Sequence, residues 1–410
     1  MLQSRRYRSN LQLPALLLVL TQTVIASADA PEVDYLTFAR GALPVKLGGA
    51  GPELKVGTEQ ALAMIDGDVG GFSLTPKPGA PDTEIIFVYE LPAPTRFTEF
   101  AVPNVRETPS PSQTFVRDVE IAGSGSGPDG PFKILATTTL TTHDERDQLT
   151  RIPSSSAESV SWVQVRLRGG IDIQRDKTFF ESSEIIGHGS QDAVPLLDKF
   201  TGKWKGRGVK LELKQDGVRV GGCYDADGEL AGTVTGNLLR ATGTTAAGIA
   251  STFVLTVTDE GEITGVRSTN GAPFVLYTGA ASTSLRIGCS DNPTIKPPVC
   301  GSIVHGINFD YDSASIRTES GVVLDALFEG LQTVSDSSIA IIGHTSSEGA
   351  EAYNQDLSQR RAAAVVAALA ARGIAESRLS ARGIGEAAPI ADNRTEAGRS
   401  LNRRVEISCQ

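Results

Sequence analysis

The sequence is short of positive charge, aromatic residues and long apolar runs. Its 410 residues include 38 Lys and Arg against 48 Asp and Glu, a formal net charge of -10, and only 6% are aromatic. A nucleic-acid-binding surface needs clustered basic residues, so this charge balance argues against that class. Beyond the N-terminal segment, no apolar run approaches the roughly 18 residues of a membrane helix. We therefore expect no transmembrane segment in the mature chain.

Common catalytic signatures are missing as well. The chain has no G-x-S-x-G elbow, no H-E-x-x-H pair and no P-loop lysine motif. His143, His188 and His305 have no Cys, Asp or second His at metal-ligand spacing, so we interpret them as structural. The sequence therefore predicts a protein that is not an enzyme.

The N-terminus has the pattern of an export signal. Arg5, Arg6 and Arg8 come first. An apolar stretch from Leu11 to Ile25 follows, and Ala26-Ser27-Ala28 supplies a small-x-small cleavage pattern. We predict a signal peptide over residues 1–28 and a mature protein in the oxidising periplasm.

Cysteine is scarce, since Cys223, Cys289, Cys300 and Cys409 are the only four. An even number in an exported chain favours two disulfides. We predict that Cys223 pairs with Cys289 and Cys300 with Cys409, because each pair then brackets one candidate domain. A zinc site is the alternative use of these residues, but no C-x-x-C spacing supports it.

Residues 31–195 contain short apolar or alternating segments separated by turns rich in Gly and Pro. The number and spacing of these segments favour a β-sandwich jelly roll. In chain order, five of them are Leu62–Asp68, Ile86–Leu91, Arg117–Ser124, Val163–Leu167 and Glu184–Gly187. In this order they resemble the discoidin, or coagulation-factor type C, galactose-binding jelly roll over most of residues 50–187.

This resemblance implies a calcium site and a sugar-binding face. Asp66 and Asp68 of an Asp-Gly-Asp loop, with Glu184 from the last strand, would be ligands of a structural Ca²⁺, which prefers oxygen donors. A plain Asp-Gly turn is the alternative, and the residues leave both open. For sugar stacking Phe72 is a candidate, whereas Trp162 lies within a predicted strand and is assigned to the core.

Residues 196–292 form a second predicted β unit, a small all-β meander or barrel. Its strand-like runs are separated by hairpin turns such as Gln215-Asp216-Gly217. Asp225-Ala226-Asp227-Gly228 lacks the further ligands of a calcium loop and is interpreted as another hairpin. Residues 293–299 are rich in proline and predict a stiff linker.

After this linker the pattern changes to alternating strands and helices. Strand-like runs begin at Ile303 and Ile339, and apolar residues recur at helical spacing between them. A second predicted helix ends at Gly373, and further strand-like runs follow. The pattern predicts an α/β sandwich over residues 300–410.

Four motifs in this last part resemble the OmpA-like peptidoglycan-binding domain. Together they cover residues 301–409, and their order and spacing make the resemblance specific. The motifs are Phe309-Asp310-Tyr311-Asp312, Gly343-His344-Thr345, the segment from Tyr353 to Ala362, and the segment from Gly398 to Glu406.

The resemblance implies a site for the diaminopimelate of the peptidoglycan stem peptide. In the family a loop Asp and a helix Arg grip the ammonium and the carboxylate of this zwitterion. The helix Arg corresponds to Arg361, the family Asn on the same helix to Asn354, and the first Arg of the terminal motif to Arg403. Thr345, which ends the second motif, belongs to the same ligand-binding set.

The chain departs from the family at the loop Asp, which is Ser346 here. A hydroxyl cannot neutralise an ammonium group, and the loss of a charged hydrogen bond costs about 1.5–3 kcal/mol. Glu348, two residues further along the same loop, is the predicted surrogate carboxylate. A solvated loop charge is the alternative interpretation of Glu348.

Two functional hypotheses follow from these patterns. The first is a non-enzymatic envelope protein, associated with the outer membrane or cell wall, that docks to peptidoglycan and displays two β modules in the periplasm. The second is a lectin-like glycan-binding protein whose OmpA-like domain is a weak or non-binding scaffold. The expected partners of the β modules are a glycan or an envelope protein. We do not expect the protein to bind nucleic acid.

Overall fold

The structure is a computed structural model that describes residues 33–50, 57–69, 72–74, 84–103, 116–140, 148–172, 177–287, 298–309, 313–334 and 338–410. For residues 49–50, 72–74, 170–172 and 177–181 only the backbone is described. The predicted signal peptide, His143, Cys289 and residues 293–297 of the predicted linker lie outside these ranges. Among the residues that are described, no helix is long and apolar enough to cross a membrane.

The sandwich region, residues 33–191, is built from antiparallel strands. Its helix α1 spans Thr58–Ala63, and its strands β1 to β10 span Leu43–Ala50, Phe72–Leu74, Glu84–Pro103, Asp118–Ser124, Lys133–Thr139, Leu149–Pro153, Val160–Arg168, Gly170–Asp172, Lys177–Ser182 and Ile186–Gln191. The larger sheet has the order β1-β3-β7-β4-β5, with β6 and β10 also paired with β3, and the smaller sheet has the order β2-β9-β8. Ile85, Phe87 and Tyr89 of β3 are fully buried, because alternate side chains of a strand face the same side. The predicted β-sandwich jelly roll is confirmed.

The barrel region, residues 202–281, is a meander. Its strands β11 to β19 span Gly202–Gly206, Val209–Asp216, Arg219–Tyr224, Gly228–Thr235, Leu238–Thr244, Ala250–Val257, Ile263–Thr269, Val275–Leu276 and Ala280–Ala281. Strands β11 to β18 pair in sequence order, and β19 returns to pair with β11. Ile263 and Gly279 exchange backbone hydrogen bonds of 3.0 and 2.9 Å, which closes the sheet into a barrel. The predicted meander or barrel is confirmed.

The C-terminal region, residues 300–410, combines a mixed sheet with helices. Its elements are β20 (Ile303–Val304), α2 (Gly321–Gln332), β21 (Ile339–His344), α3 (Glu351–Ala371), β22 (Leu379–Gly385), α4 (Glu396–Asn402) and β23 (Val405–Cys409). The sheet order is β20-β23-β21-β22, with β21 and β22 parallel. Helix α3 packs on both β21 and β22. This arrangement confirms the predicted α/β sandwich.

A disulfide joins the two ends of the C-terminal region. Cys300 and Cys409 are bonded, with their Cα atoms 5.3 Å apart, as the sequence predicts. Cys223 is also disulfide-bonded, and its predicted partner Cys289 lies outside the described residues.

The three regions share hydrophobic clusters. The cluster around Ile65 and Phe87 of the sandwich region also contains Val254 of β16, and Ala397 and Leu401 of α4. Burial of apolar surface between regions stabilises their contact. The β regions are therefore packed against the C-terminal region. The exact boundaries that the sequence places between them stay predictions.

Candidate functional site

Helix α3 is fixed to the sheet along its first half. Gly343 of β21 approaches α3 so closely that a Cβ would lie 2.5 Å from the carbonyl oxygen of Ser358. The Ser358 hydroxyl accepts the N–H of Gly385 at 2.8 Å, and Gln359 Oε1 accepts the N–H of Gly383 at 2.8 Å. These bonds set the rotation of α3 and therefore the direction of its functional side chains.

Arg361 is half-buried on α3. Its Nε donates to the Ser313 carbonyl at 3.0 Å, and its guanidinium carbon lies 4.9 Å from the centre of the Phe309 ring. Phe309 begins the first sequence motif, and the other three residues of that motif lie outside the described residues. A guanidinium held over a ring keeps its charge and the orientation of its donors. Guanidinium groups bind carboxylates through paired hydrogen bonds, which is the role that the resemblance implies for Arg361.

Asn354 is buried on α3, seven residues before Arg361 and on the same helix face. Its side-chain amide donates to Oε2 of Glu386, which follows directly after β22. Because β21 and β22 are parallel, the loops after both strands open at the same edge of the sheet. The sequence patterns did not single out Glu386. An acid that comes directly after the Gly-Ile-Gly of β22 is the signal that could have found it.

The loop after β21 carries the residue that departs from the family pattern. Thr345 is buried and donates its N–H to the Gly385 carbonyl at 3.0 Å, which ties the loop to β22. Ser346 is 4% exposed, and its hydroxyl donates to Oε2 of Glu348 at 3.1 Å. The Glu348 side chain is 61% exposed. The loop therefore presents a carboxylate to solvent, and this carboxylate belongs to Glu348.

Arg403 lies beside this carboxylate, with Nη1 3.3 Å from Oε2 of Glu348. Arg403 also contacts Glu396 of α4, and Arg399 Nε donates to the same Glu396 at 2.8 Å. Burial raises the pKa of Glu396, but the charges of Arg403 and Arg399 outweigh burial and lower this pKa to about 2. We call Glu348, Arg403, Glu396 and Arg399 the charge cluster. The structure thus brings Arg403 to Glu348.

Asn402 organises the loop that precedes α4. Its Oδ1 accepts the N–H groups of Ile390 and Ala391 at 2.8 and 3.0 Å. Its Nδ2 donates to Asn393 Oδ1 at 2.8 Å, and that oxygen also accepts the N–H of Ser347 at 3.3 Å. Asn402 is fully buried, so these bonds satisfy an amide that would otherwise be costly to bury. It lies within the fourth sequence motif, which is the signal that could have assigned it this role.

The family of this part of the chain follows from a comparison with known proteins. The OmpA family model matches residues 308–403. Residues 308–403 form an OmpA family domain. The match includes α2, α3 and α4, and with them Asn354, Arg361 and Arg403.

The OmpA family domain has named relatives. Over 121 residues the chain is 39% identical to outer membrane protein A of Bordetella avium. This alignment covers 29% of this chain and 62% of that protein. Over 104 residues it is 43% identical to outer membrane porin F of Pseudomonas fluorescens. This alignment covers 25% of this chain and 32% of that protein. The chain therefore spans between 32% and 62% of the length of these curated relatives.

Solved structures resemble two parts of the chain. The peptidoglycan-associated lipoprotein from Burkholderia pseudomallei is 32% identical with a TM-score of 0.24, and the match covers 25% of this chain and 88% of that one. CBM32-3 from a family 31 glycoside hydrolase of Clostridium perfringens is 10% identical with a TM-score of 0.29, and the match covers 39% of this chain and 95% of that one.

The predicted calcium ligands lie where the sandwich region contacts the OmpA family domain. Asp68 donates its N–H to Asp66 Oδ1 at 2.7 Å, and the intervening Gly67 has a φ of 77°. Both features are typical of a plain Asp-Gly turn. Oε2 of Glu184 accepts the N–H of Gly67 at 2.9 Å. Burial raises the pKa of Asp66 to about 7 and the pKa of Glu184 well above its ordinary value.

The carboxylates of Asp66 and Glu184 bind the backbone of the turn. Within the described ranges, no group of three or more His, Cys, Asp or Glu side chains could hold a metal ion. Asp66 and Glu184 each use one carboxylate oxygen to accept a backbone N–H of the turn. The geometry corresponds to the alternative, the Asp-Gly turn, and calcium at this loop stays a prediction.

The candidate sugar-stacking residues are placed as follows. Only the backbone of Phe72 is described, in β2. Trp162 of β7 is half-buried, and it alternates with Val163, which is fully buried in the core. Successive side chains of a strand point to opposite faces, so Trp162 faces away from the core that Val163 enters. The assignment of Trp162 to the core was therefore wrong.

Proposed function

We propose that this protein is a non-enzymatic, periplasmic cell-envelope protein whose OmpA family domain binds the diaminopimelate of the peptidoglycan stem peptide. The family match to residues 308–403 supports this proposal, as do relatives that are named outer membrane proteins. The exposed carboxylate of Glu348 and the half-buried guanidinium of Arg361 supply the two opposite charges that a zwitterion needs.

The observation that carries the proposal is the hydrogen bond from Ser346 to Glu348. The hydroxyl at the family's Asp position cannot neutralise an ammonium group, but it holds one oxygen of a carboxylate that can. We assign the ammonium of diaminopimelate to Glu348 and its carboxylate to Arg361. Asn354 shares a face of α3 with Arg361, two turns earlier along the helix, and its amide donates to Glu386.

The β regions enter this proposal as part of one packed body. Val254 of the barrel region and Leu401 of the OmpA family domain lie in the same hydrophobic cluster as Phe87 of the sandwich region. We propose that peptidoglycan binding places this body, with both β regions, at the cell wall. A glycan or an envelope protein as partner of the β regions stays a prediction.

Isothermal titration of the full mature chain tests the function. The ligands are a muropeptide with diaminopimelate and a matched muropeptide with lysine, which lacks the carboxylate assigned to Arg361. We expect the diaminopimelate form to bind more tightly. Arg361→Ala should weaken its binding about tenfold to a hundredfold, because a charged hydrogen bond contributes about 1.5–3 kcal/mol.

Arg360→Ala is the matched control. Arg360 is the neighbouring residue on α3, is exposed, and pairs with Asp356 at 2.7 Å. We expect this variant to bind like the wild type. No measurable heat for the wild type, or equal affinity for both muropeptides, would contradict the proposed function and favour the lectin-like hypothesis.

A further inference from the structure

Helix α4 is where the three regions meet. Its first residue, Glu396, donates its N–H to the Asp66 carbonyl at 2.7 Å, and Arg399 Nη2 donates to the Gly67 carbonyl at 3.1 Å. From the barrel region, Arg240 Nε lies 3.3 Å from the Ser400 hydroxyl oxygen. The Asp66 carbonyl thus serves a backbone N–H at the N-terminal end of α4, where such groups lack partners within the helix, and the Gly67 carbonyl serves the Arg399 side chain.

The contact between this turn and α4 leaves no room for a side chain at position 67. A Cβ on Gly67 would lie 2.4 Å from Cβ of Glu396, and the φ of 77° also favours glycine. Ala397 and Leu401 anchor the other side of α4 in the hydrophobic cluster that contains Ile65, just before the turn. The position of Glu396 is therefore set by the sandwich region.

Glu396 forms ion pairs with Arg399 and Arg403, the two cations that also face Glu348. Arg399 Nε lies 2.8 Å from Glu396 and 3.7 Å from Glu348. Arg403 also contacts Glu396 more closely than it contacts Glu348. Both guanidinium groups stay charged at any physiological pH. Because Glu396 offsets them, the exposed carboxylate of Glu348 keeps negative charge available for a ligand.

We propose that the Asp66-Gly67 turn and Glu396 are positioning elements of the peptidoglycan site, so that the sandwich region is required for full affinity of the OmpA family domain. This inference rests on the proposed function. If Glu396 loses its charge or its place, Arg399 and Arg403 turn to Glu348 and compete with the ammonium of the ligand. Glu396 and the turn act through Glu348 and do not contact diaminopimelate.

Titration of the full chain with the diaminopimelate muropeptide tests the inference. Glu396→Gln removes the charge, and Gly67→Ala displaces the turn from α4. Each should weaken binding about threefold to tenfold, the range expected for coupling between groups in one ionic network. Gly208→Ala is the matched control for Gly67→Ala, because Gly208 has a φ of 73° and no described atom lies within 4 Å of its would-be Cβ.

Two measurements distinguish a positioning role of Glu396 from a purely structural one. In a Glu348→Gln background, Glu396→Gln should have no further effect on affinity. A muropeptide whose diaminopimelate amine is acetylated should bind the wild type and Glu396→Gln equally, because the ammonium is gone. General destabilisation would weaken both ligands in both backgrounds.

The outcomes distinguish this inference from the proposed function. If the wild type binds and Arg361→Ala weakens binding, but Glu396→Gln and Gly67→Ala bind like the wild type, only the inference is overturned. If the Glu396 effect persists without Glu348, the inference is also overturned. A wild type that gives no heat overturns both. Should Glu396→Gln fail to fold, Gly67→Ala and its control decide the question.

Discussion

The hydroxyl of Ser346 lies 3.1 Å from Oε2 of Glu348, so a carboxylate placed at position 346 would meet a second carboxylate. Two such groups repel, and one of them takes up a proton more readily. Under the proposed function, the family's Asp and the Glu348 of this chain would be alternative carboxylates for one ammonium group. This relationship explains how a loop without the family's Asp can still present a negative charge.

Exchange of the two carboxylates is the first prediction. Glu348→Gln should weaken binding of the diaminopimelate muropeptide about tenfold, and Ser346→Asp added to it should restore affinity to within about threefold. Ser346→Asp alone should give little gain, because Glu348 is already present. Titration calorimetry measures all three variants, with Glu376→Gln, an exposed acid far along the chain, as control. A double variant that binds no better than Glu348→Gln would refute the assignment of Glu348.

The disulfide between Cys300 and Cys409 gives the second prediction. It closes a loop with a sequence separation of 109 residues. Replacing both cysteines by serine should lower the free energy of unfolding by about 2–4 kcal/mol, since the unfolded chain is no longer constrained. Urea denaturation without reductant measures the loss. An unchanged midpoint, or peptide mapping that links Cys223 to Cys300, would contradict it.

His305 gives the third prediction, which concerns pH. It is 2% exposed, and neither ring nitrogen has a hydrogen-bond partner among the described residues. Burial lowers its pKa from 6.5 to about 3, and the charges of Arg240 and Arg404 act in the same direction. Between these pH values the unfolded chain binds a proton that the folded chain does not. The free energy of unfolding should therefore fall as pH falls from 6.5 towards 3.

The variant His305→Gln should remove this part of the pH dependence. For each unit by which pH falls, the free energy of unfolding of the wild type should decrease by up to about 1.4 kcal/mol more than that of the variant. This is the change expected when the unfolded chain binds one more proton than the folded chain. Urea denaturation at several pH values below neutrality provides both slopes. Parallel slopes would show that His305 is not the group responsible.

A chelator separates the two interpretations of the Asp66 loop. An ion bound only by the folded chain would stabilise it, so its removal would lower the melting temperature. Because Asp66 and Glu184 already accept N–H groups of the turn, we expect EDTA to leave the melting temperature of the full chain unchanged. A fall of several degrees that Ca²⁺ reverses and Mg²⁺ does not would establish a calcium site instead.

Sequence alone determined what depends on local spacing. Arg361 and Asn354 are seven residues apart on one helix, so their shared face follows from helical periodicity. The bond between Cys300 and Cys409 follows from cysteines that bracket one run of strands and helices. In the same way, alternation and hairpin turns were enough to predict the sandwich and the barrel.

Only the tertiary structure decided how these parts act on one another. Arg399 reaches the carbonyl of Gly67 across 332 residues of chain, and no local pattern predicts such a contact. From the sequence, the Asp66-Gly67 turn is compatible with a calcium loop or with a plain turn, because both structures use the same residues. Its place against Glu396 depends on which apolar faces of α4 and the sandwich region are buried together. That choice is made by the packing of the whole chain, since burial of apolar surface is non-directional and leaves no signature in the spacing of charged residues.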